Sequence, residues 1–214
     1  MRGMLLISLA FVMFTAKAAN TATPEDPSQI VQDTSEKILR ILNRDADKLR
    51  NNPQEVQRLV DEILLPVIDL NTFSKLILSH NWRQASTEQR RRFTQEFKGM
   101  LMRTYTKYLV DYAGTKVKLI PQRRPQRNSK RQTVSTEVIQ PGKPPLSVNY
   151  SFWFNEGKWQ AYNVTVDGLS LVHLFRNDFN REIDETSLDA LIERMAKTNL
   201  AKGGKISGGQ GSIQ

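Results

Sequence analysis

Residues 146–166 read LSVNYSFWFNEGKWQAYNVTV, and how this stretch is read decides the fold. In its first half Val148, Tyr150, Phe152 and Phe154 recur at every second position, the period of a strand with one buried face. Asn155-Glu156-Gly157 interrupts the pattern as a three-residue hairpin loop whose glycine supplies a left-handed residue. The second half, 158–166, spreads Trp159, Tyr162, Val164 and Val166 over both faces of another strand. Strands joined so tightly pair antiparallel. Upstream, 115–120 and 133–140 read as two more strands, so the expected sheet is twisted, antiparallel and of about four strands.

On both sides of the sheet the apolar period changes from two to that of a helix. A helix over about 28–50 carries Ile30, Ile38, Ile41, Leu42 and Leu49 among charged residues, and Asn51-Asn52-Pro53 ends it. Pro53 suits the first position of a second helix bearing Val56, Leu59, Val60, Ile63 and Leu64, which Pro66 breaks. Asp69 or Asn71 caps a third, with Phe73, Leu76, Ile77 and Leu78. Ser86 with Gln89 is a capping-box pattern opening the longest helix. Its stripe is Phe93, Phe97, Leu101, Tyr105, Tyr108, Leu109 and Tyr112, and Gly114 ends it. Helix returns from about 169 to 197. The fold class is therefore α+β, a twisted antiparallel sheet wrapped by N- and C-terminal helices. Such a wrapping can leave an apolar interior unfilled, the usual shape of a small-molecule site.

The chain ends are of different composition. Arg2, the apolar run 4–14 and Ala16-Lys17-Ala18 have the order of a secretory signal peptide, so 1–18 is expected to be removed. Residues 19–27 read as a flexible lead-in, 28–200 as a single α+β domain and 201–214 as a disordered Gly/Ser-rich tail. With no cysteine, the chain offers neither a disulfide, nor thiol catalysis, nor the residue a lipoprotein anchor acylates. The net charge of +9 favours anionic partners. Export argues against nucleic acid, and the basic segment 121–131 has no interleaved aromatic residues on which bases could stack. A solvated loop and a guide toward anionic lipid or an acidic partner are equally compatible with Arg123, Arg124, Arg127, Lys130 and Arg131.

Catalytic motifs are sparse. His80 and His173 stand far apart, neither with metal-ligand spacing. Gly168-Leu169-Ser170-Leu171-Val172 begins like a nucleophile elbow but has Val172 where the closing glycine belongs. Gly204-Lys205-Ile206 lacks the rest of a phosphate-binding loop, and Glu182, Asp184 and Glu185 read as a solvated run. No catalytic residue and no metal ligand is assigned.

Several short motifs, taken in order, carry a resemblance. They are Leu65-Pro66-Val67-Ile68-Asp69, Asn81-Trp82-Arg83, Thr87-Glu88-Gln89-Arg90-Arg91-Arg92-Phe93 with Phe97, Tyr105 and Val148-Asn149-Tyr150. Gly157-Lys158-Trp159, Asp167-Gly168-Leu169-Ser170-Leu171-Val172 and Phe175-Arg176-Asn177-Asp178-Phe179 complete them. With these the chain resembles the MlaC, or toluene-tolerance, family of periplasmic phospholipid-binding proteins. Asn163 and Asp167 depart from that pattern, standing where an acid and a longer Glu are common.

The resemblance implies a sheet like the nuclear-transport-factor cone and acyl chains in an apolar interior with the headgroup in solvent. It implies a periplasmic monomer that shuttles phospholipid between two partners. One is an outer-membrane lipoprotein–porin complex. The other is an inner-membrane ABC transporter with its membrane-anchored substrate-binding subunit. Phospholipid would be cargo, with no cofactor, and the transport would maintain outer-membrane lipid asymmetry. By sheet face and helix stripe, the candidate lipid-binding lining is Tyr105, Leu109, Tyr112, Val117, Val148, Tyr150, Phe152, Tyr162, Val164, Val166, Val172 and Phe175. Two alternatives stay open: a secreted enzyme of cone-like fold, which needs a titratable pair in the pocket, and an adaptor with a solid interior.

Overall fold

The computed structural model describes residues 26–121 and 129–203. The segment read as leader lies outside them, as do most of the lead-in, the tail from 204 onward, and Arg123, Arg124 and Arg127 of the basic segment.

Helix α1 spans Pro27–Arg50; Asp26 caps it by accepting the Ser28 amide at 2.8 Å, with Pro27 in the first turn where a missing N–H costs nothing. Its buried side chains include Ile30, Val31, Ile38, Leu42 and Leu49. Asn52 caps α2 (Pro53–Leu59), which widens into a π-helical turn, Val60–Leu64, and a 3-10 turn, Leu65–Val67. Pro66, having no N–H to donate, ends the regular helix there.

Asp69 starts α3 (Leu70–Leu78), and α4 (His80–Gln84) follows. The capping box of Ser86 and Gln89 is formed at the head of α5, Thr87–Leu109, which tightens to 3-10 geometry over Val110–Tyr112. The C-terminal helical stretch is two helices, α6 (Leu171–Glu185) and α7 (Leu188–Gly203). They are separated where Thr186 leaves helical geometry and the Ser187 hydroxyl accepts the Ala190 amide at 3.1 Å. Ala201, Lys202 and Gly203 thus belong to α7 rather than to a tail.

The sheet is an antiparallel meander of five strands in the order β1-β2-β3-β4-β5. These are β1 (Lys116–Ile120), β2 (Arg131–Ile139), β3 (Leu146–Asn155), β4 (Lys158–Val166) and β5 (Leu169–Ser170). The short fifth strand was not expected. Asp167 and Gly168 both have positive φ, 46° and 81°, making a two-residue turn that folds Leu169 and Ser170 back onto β4. The β3–β4 loop is also two residues, not three, because Asn155 pairs with Lys158 around Glu156 and Gly157, with φ of 50° and 80°. Left-handed pairs of this kind match the right-handed twist of the strands they join.

A β-bulge interrupts the β3–β4 ladder. Ser151 pairs with Asn163 and Phe152 with Ala161, leaving Tyr162 as the extra residue. Such an insertion breaks the two-residue alternation of a strand.

Among the described residues, apolar packing falls into three clusters. One joins α3, α5, α6 and α7 around Phe93, Phe97, Ile77, Phe179, Leu191 and Ile192. Phe93 and Phe97 stack at 6.0 Å, and Phe175 meets Phe97 edge-on at 5.3 Å. A second joins α1, α2, the π turn and the end of α5 through Leu42, Leu49, Val56, Ile63 and Val110. The third sets Ile30 and Val31 of α1 against Val134, Phe152 and Ala161 of the sheet. Members of the last two, Ile38 and Leu42 from one and Ile30, Val31, Phe152 and Ala161 from the other, border a common space.

Candidate functional site

The space left there is a cavity of about 600 Å³, within the range of small-molecule sites. Each wall follows from an element already described. Helix α1 supplies Ile30, Val31, Thr34, Ser35, Ile38, Leu39 and Leu42, and the π and 3-10 turns supply Leu64, Val67 and Ile68. Tyr105, Leu109 and Tyr112 come from α5 and its 3-10 end, followed by Thr115. The sheet gives Val117, Val138, Leu146, Val148, Tyr150, Phe152, Ala161, Val164 and Val166, and Leu171 begins α6. Not one of these side chains is charged.

The polar side-chain atoms on these described walls are hydroxyls. Burial pushes the Tyr150 phenol above its ordinary pKa; a hydrogen bond with Thr136 opposes this and the nearby Tyr112 adds to it. Thr136 is 1% exposed and donates its own hydroxyl to the Val148 carbonyl at 3.1 Å. Tyr105, 47% exposed, stands at the rim, and partial burial raises its phenol as well. Both phenols stay neutral over the whole physiological range.

Of the residues expected from sequence, the structure brings Tyr105, Leu109, Tyr112, Val117, Val148, Tyr150, Phe152, Val164 and Val166 together on these walls. Tyr162, Val172 and Phe175 do not line the cavity. Simple alternation puts Tyr162 on the face of Val164 and Val166, but the bulge gives that place to Ala161, which is 5% exposed. Val172 and Phe175 project from α6 into the helical cluster, where the rings of Phe97 and Phe179 surround Phe175. The α1 wall was missing from the expectation. Its apolar stripe is visible in sequence, but which element it covers depends on tertiary packing.

Residues of chemical interest elsewhere are engaged in structure. The Ser170 hydroxyl donates to Asn163 Oδ1 at 3.1 Å and accepts the His173 amide at 3.3 Å, capping α6. Asn163 also accepts the Val172 amide, and Asp167 accepts the Ser147 amide, so the two positions that depart from the family pattern secure the β4–β5 turn. Glu182 is paired with Arg194. No group of three His, Cys, Asp or Glu among the described residues could hold a metal ion. No helix among them is long and apolar enough to cross a membrane.

A second space, about 520 Å³, lies on the other face of α5 against α2 and α7. Its walls mix Leu49, Val56 and Met102 with Arg50, Lys98, Arg103, Glu96 and Asp111. For an uncharged hydrocarbon ligand the charged walls decide between the two in favour of the first.

Residues 32–197 match the profile of the family described as MlaC protein. The chain is 28% identical over 208 residues to the toluene tolerance protein ttg2D of Pseudomonas putida, covering 94% of this chain and 93% of that one. It is 21% identical over 194 residues to the intermembrane phospholipid transport system binding protein MlaC of Haemophilus influenzae, covering 89% and 90%. Among solved structures, a phospholipid-binding protein from Ralstonia solanacearum in complex with a phospholipid superposes with a TM-score of 0.76 at 25% identity. That match covers 84% of this chain and 99% of the other.

Proposed function

This chain belongs to the MlaC family, and from that premise we propose that it is a periplasmic phospholipid carrier whose acyl-chain site is the cavity between α1, α5 and the sheet. The observation that carries the reading is a cavity of about 600 Å³ with no charged side chain among its described walls. Water entering such a space meets few hydrogen-bonding partners, and apolar walls left facing it forgo the stabilisation that burial gives. Such a wall is therefore built to be covered, and hydrocarbon covers it without leaving polar groups unpaired.

The names of the Haemophilus influenzae relative and of the Ralstonia solanacearum structure support phospholipid as the occupant. The proposed lining is the set of sequence-expected residues on these walls, joined by the α1 residues, Ala161 and Leu171. An enzyme of the same fold would need a titratable pair in the cavity, and its described walls offer only phenols and aliphatic hydroxyls.

The energetics favour delivery by contact over release into water. Each buried CH₂ contributes about 0.8 kcal/mol, so two ordinary acyl chains hold on the order of 20 kcal/mol relative to water. Transfer into another apolar groove is nearly neutral. Delivery of this kind needs partners that offer such a groove, and the family resemblance implies which: an outer-membrane lipoprotein–porin complex and an inner-membrane ABC transporter with its anchored substrate-binding subunit. A leader at 1–18, cut after Ala18, delivers it there. Native mass spectrometry of the mature protein purified from cells tests the reading. A mass excess matching diacyl phospholipid, identified after extraction, is expected; a clean unliganded mass would overturn it.

A further inference from the structure

The apolar cavity borders another space along the line where α1 lies against the edge strand β1. That space, of about 640 Å³, shares Val31, Ser35, Leu39, Thr115 and Val117 with it. Beyond those shared residues its described walls are Gln32, Glu36, Arg40, Asn43 and Lys116, with Leu119. The surroundings thus pass from hydrocarbon-like to charged across this shared border, of which Thr115 is part. That gradient matches a molecule with apolar tails, a polar linker and an anionic group.

Thr115 itself supplies a second observation. It is 5% exposed, and its amide donates to the Tyr112 carbonyl at 3.1 Å, yet its hydroxyl oxygen is buried with no partner among the described residues. A buried hydroxyl left unpaired is a cost that native structures avoid unless something meets it. The turn presenting it is pinned, because Asn43 Oδ1 accepts the Gly114 amide at 2.6 Å. Across the groove Arg40 touches Glu36 at 3.3 Å in an exposed pair, a contact that competes weakly with a stronger anion. Lys116 is exposed and makes no ion pair among the described residues.

We propose that this seam holds the glycerol–phosphate linker of a diacyl phospholipid. Thr115 donates its hydroxyl to an ester carbonyl at the boundary of the apolar cavity, and Lys116 and Arg40 pair with the phosphodiester. The assignment rests on the carrier reading above and adds to it the place where the polar part is held.

The test uses the mature full-length protein loaded from vesicles containing either phosphatidylglycerol or diacylglycerol, with release to acceptor vesicles followed over time. Thr115→Val should speed release of both lipids about tenfold, since both carry ester carbonyls. Thr115→Ser should restore wild-type release. Arg40→Gln with Lys116→Gln should speed release of phosphatidylglycerol several-fold and leave diacylglycerol unchanged. Unaltered release in every variant, with Thr115→Val merely raising the melting temperature, would overturn the seam while the carrier reading stands. A wild-type protein that takes up neither lipid would remove the carrier reading and the seam with it. Free phosphate is the other source of the same anion. If millimolar inorganic phosphate alone shields Lys116 from acetylation as well as loaded phosphatidylglycerol does, the seam is a phosphate site and the linker assignment falls.

Discussion

Val164 and Val148 face each other's neighbours across the β3–β4 ladder, with Val148 paired to Val166 and Tyr150 to Val164, all four on the cavity wall. A carboxylate at Val164 would have to leave water or draw water in, and either change ruins the wall for hydrocarbon. Val164→Asp, or Val148→Arg, should lower lipid recovered per mole of purified protein by about tenfold or more, with helix content by circular dichroism retained. Tyr150 gives a pH prediction. Its folded pKa lies above the ordinary value near 10 because burial disfavours the phenolate. The stability it contributes is complete below about pH 10 and is lost as pH rises toward the folded pKa. Urea midpoints should therefore fall more steeply above pH 10 in the wild type than in Tyr150→Phe. Tyr150, Val148 and Val164 were legible as wall residues because strict alternation holds for them. Tyr162 was misread because one inserted residue changes the parity of everything before it, and no residue type announces a bulge in advance.

Among elements, one contact that ties the helical part to the sheet sits beside that bulge. The Asp69 amide donates to the Ala161 carbonyl at 2.8 Å, its Oδ1 accepts the Thr72 amide at 2.8 Å, and its Oδ2 accepts Trp153 Nε1 at 2.9 Å. Asp69 thus caps α3 and ties it to β3 at once. Asp69→Ala removes a cap and leaves an indole N–H unpaired, so a loss of about 2–3 kcal/mol is expected in urea unfolding. Trp153→Phe in the same background should recover part of it, since the orphaned donor goes too. Helix starts were the most legible elements. The Ser86–Gln89 box is local chemistry and stands where the sequence put it, and of the two caps the sequence allowed for α3, Asp69 and Asn71, the structure uses Asp69. The fifth strand was missed although its signal, the Asp167-Gly168 pair between apolar residues, was present. It competed with a helical period that begins immediately afterward at Leu171.

In the molecule as a whole, packing and hollow divide the chain unevenly, and α5 crosses the division. Its N-terminal half carries Phe93 and Phe97, both 0% exposed, deep in the helical cluster. Its C-terminal half has the apolar cavity on the side of Tyr105 and Leu109 and the charged space on the side of Arg103 and Thr106. The apolar stripe of α5 was plain in the sequence, but an apolar stripe looks the same whether other side chains or a ligand will cover it. A helix with space on two faces has fewer neighbours to hold its backbone when it fluctuates, so one continuous helix should open in two regimes. In deuterium, amides over 103–109 of the lipid-free protein should exchange at least about tenfold faster than those over 93–97. Loading lipid should slow only the faster set, and uniform exchange along α5 would contradict this. Departure of the cargo would then be timed by the breathing of a single helical segment rather than by unfolding of the body that carries it.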